Sequence, residues 1–285
     1  MRHEYVLGGN LFFLIAFSIL TPIQIYFGIR HKTWGFLFGM FCALVLEILG
    51  YASRVGLHYG KDLFLMYIVT LTIGPAFLSA ALYLCLARII TVYGAHLARF
   101  RPMVYTTVFM LLDFFALLLQ SGGGALVGGD DPSMWDTGLK ILQAGLSIHL
   151  IGIVVYGALC LEFGVVVRRA RGEWSSDFKT LQLSTKFKMF CVVLGISTLA
   201  VLIRTAFRVA ELSQGFDSKI AKSETAFLLL EGAMILLACL CLTIYHPGIA
   251  FQGRWVDADF SMKKRKDKGD IEEEVGGRHL SLRSM

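Results

Sequence analysis

The chain has 285 residues, of which 56% are hydrophobic and only 17% charged, with a formal net charge of +6. A soluble domain of this length needs a polar shell and carries nearer a quarter of charged residues, so a soluble globular class is excluded and an integral membrane protein is indicated. The excess of positive charge lies in a loop and in the tail, where it suits anionic lipid headgroups, and it does not signal nucleic-acid binding.

Seven apolar runs follow one another near 7–29, 34–56, 63–92, 103–127, 138–167, 188–212 and 223–249. Each reaches the length of about twenty residues that crosses a hydrocarbon core. Segments of alternating polarity, the mark of a membrane barrel, are missing. The fold class read from this pattern is an all-α polytopic membrane protein with seven transmembrane helices. The third and fifth runs are long enough to tilt or to protrude.

The first run begins straight after MRHEY and shows no small-residue cleavage site, so it reads as a spanning helix and not as a removed signal. The second closes on LEILGYASR, where Glu47, Tyr51 and Arg54 fall at i, i+4 and i+7 on one face, with Gly50 leaving room beside them. The third contains Gly74-Pro75 and ends near Arg88. The fourth places Asp113 and Gln120 seven apart, followed by Gly122, Gly123 and Gly124. Small residues there allow either a close helix approach or a break beside a cavity. A phosphate-cradling loop would need a strand before the glycines and a lysine after them, and neither is present.

The fifth run carries Gln143, His149 and Glu162; the sixth carries Arg204, Arg208 and Glu211, again spaced four and then three. The seventh carries Glu224 and Glu231 before His246-Pro247-Gly248. Arg88 and Glu162 lie near helix ends, where long side chains snorkel, and read as interface residues. All six cysteines fall inside predicted helices, so no extracellular disulfide is expected, and Asn10, the single asparagine, is not in a glycosylation motif.

Lys and Arg set the orientation. Segments 30–33, 93–102, 168–188 and 251–285 hold 18 of them, whereas the alternate set of segments holds five. The positive-inside rule then puts the N-terminus outside and the C-terminus in the cytoplasm. Two regions result: a seven-helix domain over 1–250, and a disordered basic cytoplasmic tail over 251–285, whose KKRKDK run faces anionic inner-leaflet lipid.

An ionisable side chain at mid-bilayer costs roughly 2.5–3.5 kcal/mol, so it turns to a partner or to a cavity. The spacing predicts a polar cavity in the outer half of the bundle, with ligand-binding residues Glu47, Tyr51, Arg54, Asp113, Gln120, Arg204, Arg208, Glu211 and Glu231. The alternative is a structural network in which the same charges pair, Glu47 with Arg204 for example, and fix helix packing. No catalytic residue, cofactor or metal site is expected: a lone intramembrane His149 cannot hold zinc, and neither a helical HExxH nor a Ser-His-Asp set is visible.

Taken together the motifs resemble the fungal RTA-like family of lipid-translocating exporters over about residues 20–251. They are ExxGYxxR at Glu47, Gly50, Tyr51 and Arg54; a proline-bearing third helix with Ala80, Tyr83 and Arg88; DxxxxxxQxGGG from Asp113; IRxxFRxxE from Ile203, with Arg204, Arg208 and Glu211; and acids seven apart at Glu224 and Glu231. The pattern departs from the family at Gly74 and Phe207, and at Leu228 and Glu231, where LLLE stands in place of YxxD. The resemblance implies a plasma-membrane protein, without a cofactor, that moves or confers resistance to amphipathic molecules such as sphingoid bases, sterol-like amines or porphyrins. A transporter or flippase is the first reading; a seven-helix receptor that binds the same ligand without passing it across is the second. An ammonium headgroup would meet Glu47, Asp113 or Glu231, and a phosphate would meet Arg204 and Arg208.

Overall fold

The computed structural model describes residues 6–129, 132–213 and 223–259. Seven of its helices are long and apolar enough to cross a membrane: α1 (Leu7–Arg30), α2 (Trp34–His58), α3 (Phe64–Tyr93), α4 (Pro102–Val127), α5 (Trp135–Arg169), α6 (Thr185–Ser213) and α7 (Glu224–Ala250). No strand occurs among the described residues, as expected where backbone polar groups must be satisfied within each segment. The expected boundaries hold to within a few residues.

Local chemistry sets the helix ends. Pro102 occupies the first turn of α4, where a missing N–H costs nothing. Ser223 caps α7 by accepting from the Ala226 amide at 3.3 Å. Gly94, at φ 129°, ends α3 in a conformation that a side chain would oppose.

Successive helices pack as neighbours and α7 returns against α1, closing the bundle. The centre belongs to α3, which also touches α5 and α6. Its most apolar window is 72% buried, against 28% for α1 and for α5. The exposed apolar residues of the outer helices, such as Phe12, Ile19, Phe114 and Leu161, are where lipid chains would lie.

Two of the three glycines of α4, Gly123 and Gly124, serve close approach, and the helix continues unbroken to Val127. A Cβ on Gly123 would stand 2.5 Å from the Leu142 amide nitrogen and 2.6 Å from the Gly138 carbonyl on α5. Gly122 points into open space.

Residues 251–259, expected to begin the disordered tail, stay packed on the bundle. Phe251, Trp255 and Ala258 are buried, and Phe251 meets the rings of Phe187 and Phe190 on α6. Arg88, expected to snorkel, instead lies 4.3 Å from the Trp255 ring centroid and donates to the Trp255 carbonyl. Aromatic burial and a cation–π contact hold this segment in place. The rest of the expected tail, 260–285, lies outside the described residues.

Candidate functional site

Adjacent helices run antiparallel, so the first turn of α1, the last turns of α2 and α6 and the first turn of α7 share one end of the bundle. Asn10, Arg54, Glu211 and Glu224 are at these ends, and Glu47, Arg204, Arg208 and Glu231 lie deeper on the same helices. The two stripes read from α2 and α6 therefore converge. Arg204 and Arg208 are fully buried and Arg54 is 2% exposed.

Arg204 donates from Nη2 to Glu231 Oε1 at 2.5 Å and to the carbonyl of Leu71 on α3. Leu71 stands four residues before Pro75, whose nitrogen has no hydrogen to offer, so this carbonyl is left free within the helix. Glu231 sits in a π-helical turn, Leu228–Ala233, that interrupts α7. Arg208 donates from Nη1 to Glu211 Oε2 at 2.6 Å and from Nη2 to Thr72 Oγ1 at 3.2 Å. Its Nε is 3.8 Å from Glu231 Oε2, which joins the two pairs.

Arg54 donates from Nη2 to both Glu224 oxygens at 2.7 Å and from Nε to Asn10 Oδ1 at 2.7 Å. The Phe227 ring centroid is 3.7 Å from the guanidinium carbon and that of Tyr67 is 4.9 Å away. Arg54 thus has a carboxylate, an amide and two aromatic faces to replace its hydration.

Glu47 stands apart. It is 1% exposed, yet neither carboxyl oxygen has a hydrogen-bond partner. The Tyr51 hydroxyl one turn away is equally buried and equally without one. Two glycines make space around them. A Cβ on Gly74 would be 3.1 Å from Glu47 Oε1, and one on Gly232 would be 2.5 Å from the Tyr51 hydroxyl. The expected Glu47–Arg204 pair is not formed: Arg204 gives Nη2 to Glu231 and Leu71, and its buried Nε and Nη1 have no hydrogen-bond partner.

Asp113 belongs to a different group. Its Oδ2 accepts from the Tyr83 hydroxyl at 2.9 Å, and its Oδ1 is 2.8 Å from His149 Nδ1. The rings of Tyr156 and Phe109 flank Tyr83 at 4.7 and 5.3 Å. No hydrogen bond or ion pair among the described residues links this triad to the arginines. Gln120, expected with Asp113, lies at the α4–α5 contact beside Gly145, and neither atom of its amide has a hydrogen-bond partner.

Of the nine residues expected to line one cavity, six (Glu47, Arg54, Arg204, Arg208, Glu211 and Glu231) form or adjoin one closed charge cluster, with Tyr51 at its edge. Asp113 and Gln120 lie elsewhere. Reading the charges missed Asn10 and left Glu224 out of the set, although Glu224 was visible as an acid seven residues before Glu231. Pro75 was the signal for the Leu71 carbonyl. His149 and Tyr83 were noted separately, but nothing in their spacing joins them to Asp113.

Residues 40–254 match the family described as RTA1 like protein. The chain belongs to that family. Among RTA1-like relatives it is 28% identical over 277 residues to the sphingoid long-chain base transporter RSB1 of Saccharomyces cerevisiae, covering 86% of this chain and 72% of the relative. It is 25% identical to Protein RTA1 of the same organism, over 79% of this chain and 70% of the relative. It is also 25% identical to Protoporphyrin uptake protein 1, over 72% of this chain and 66% of the relative. No solved structure matches the RTA1-like chain.

Proposed function

We propose that this RTA1-like protein moves an amphipathic lipid of the sphingoid-base class across a membrane, with the α2–α3–α6–α7 charge cluster as the station for its headgroup. One observation carries the reading. Two spanning helices lose their regular hydrogen-bond ladder beside the cluster, α3 at Pro75 and α7 at its π-turn, and both irregularities deliver a polar group to Arg204. Irregular backbone at membrane depth is tolerated where it lines a site, and interrupted helices build the substrate sites of many transporters. The names of the RSB1 and protoporphyrin-uptake relatives support transport of an amphipathic molecule.

The placement that goes with this reading has the Asn10–Arg54–Glu224 end outside, the C-terminus in the cytoplasm and the protein in the plasma membrane. The excess of Lys and Arg in the segments at the other end supports that orientation.

The test is leaflet exchange of a fluorescent sphingoid base in liposomes holding the purified protein. Glu47→Gln and Tyr51→Phe are the variants of choice, since neither removes a hydrogen bond from the fold. Exchange by wild type that drops in both variants supports a transporter with its site here. Wild type that binds the lipid and never moves it makes the protein a receptor for the same ligand.

A further inference from the structure

Among the described residues the cluster, buried except for Glu224 at its rim, holds more negative than positive groups. Among the described residues three guanidiniums, Arg54, Arg204 and Arg208, face four carboxyls, Glu47, Glu211, Glu224 and Glu231. Each of the last three accepts a hydrogen bond from an arginine. Glu47 is the remainder. Among the described residues its surroundings supply no further cation: α3 presents Gly74, α6 presents Arg204 and Arg208, and α7 presents Glu231 and Cys239. Its own helix presents Tyr51. The titratable groups of α1, Tyr26 and Arg30, are exposed.

An uncompensated charge in a low-dielectric interior is expensive, so the cluster needs one more positive charge on or beside Glu47. Two carriers of that charge suit a carboxyl: a proton on it, or an ammonium held against the carboxylate. They exclude one another. We infer that Glu47 is an exchange site at which a lipid ammonium displaces a proton, so that each amine bound expels one proton and transport of the amine is coupled to counter-movement of a proton. In the step, the Glu47 O–H bond breaks, its proton leaves to water, and the carboxylate forms an ion pair with the –NH3+ of the ligand. The charge of the cluster is the same before and after. The Tyr51 hydroxyl, one turn along, is placed to meet a hydroxyl neighbouring the amine.

This inference rests on the transport reading, and the experiment separates the two. Purified full-length protein in unbuffered detergent, at about pH 6.5 where a free aliphatic amine is already an ammonium, is titrated with sphinganine while an indicator dye follows released protons. N-acetylsphinganine, which has no ammonium, is the control. About one proton is expected per sphinganine bound and none with the acetylated compound, and the apparent Kd should weaken about tenfold for each unit that pH falls, as one-proton linkage requires. That slope needs no variant. Glu47→Gln, which takes away the carboxylate that pairs with the ammonium, should bind sphinganine about tenfold or more weakly, and the binding that remains should show neither proton release nor the pH slope.

Sphinganine binding with no proton released, or an unchanged release in Glu47→Gln, overturns the exchange and leaves transport standing. Equal release with N-acetylsphinganine also overturns it. Absence of binding overturns both. If proton release is intact but leaflet exchange in liposomes is absent, the exchange holds and the transport reading fails.

Discussion

The carbonyl of Leu71 on α3 accepts a hydrogen bond from Nη2 of Arg204 on α6. Four residues on, Pro75 has given up the N–H that would otherwise claim that carbonyl. A proline inside a central membrane helix thus becomes an acceptor for a buried cation. Replacing Pro75 by Ala returns a competing donor to the helix. The melting temperature of Pro75→Ala in detergent should stay near that of wild type or rise. Leaflet exchange should slow about tenfold or more, since a hydrogen bond to a charged group is worth about 1.5–3 kcal/mol.

Arg204 and Glu231 should show the asymmetry of buried ion pairs. Arg204→Met leaves the Glu231 carboxyl without its 2.5 Å partner and should cost roughly 3–5 kcal/mol of stability. Combined with Glu231→Met, the loss should shrink, because no charge is then stranded. Unfolding of the two single variants and the double variant in one detergent measures this directly.

At the rim, a double-mutant cycle between Arg54 and Glu224 should return a coupling of about 1.5–3 kcal/mol, given two 2.7 Å contacts on a guanidinium stacked against Phe227. Arg54→Lys should recover only part of it, since an ammonium cannot reach Glu224 and Asn10 in the same fork geometry. Thermal unfolding of the four proteins provides the numbers.

The glycines of α4 make a contrast within two adjacent positions. Gly123→Ala forces a Cβ against the α5 backbone and should destabilise by about 1–3 kcal/mol. Gly122→Ala meets nothing within 4 Å and should be neutral or slightly stabilising, as helix propensity favours alanine.

The periodic features were legible in the sequence. Seven apolar runs gave the seven helices, and the four-then-three spacing of Glu47, Tyr51 and Arg54, and of Arg204, Arg208 and Glu211, gave two faces that each pair with an acid of α7, Arg54 with Glu224 and Arg204 with Glu231. Less was legible about who pairs with whom. Arg204 pairs with Glu231 and not with Glu47, Glu231 sits in a π-turn of another helix, and no residue pattern in LLLEGA announces that turn. Asp113 has the chemistry of the cluster but sits on a face of α4 directed at Tyr83 and His149. Its depth alone could not separate the two groups. Residues 251–259 read as polar tail because two aromatic anchors, Phe251 and Trp255, are a weak signal in so short a stretch.

The π-turn of α7 contains one residue more than an α-helical path between the same points would need. Removing one residue from 228–233 would let α7 wind as a continuous α-helix between the same two points, so the segments on either side would keep their places. Glu224 would still face Arg54, and only the turn that carries Glu231 would be redrawn. The inserted residue therefore bears on Arg204 and not on Arg54. A chain of this family that lacks it would keep the contact at the Asn10 end and present its deeper acid differently.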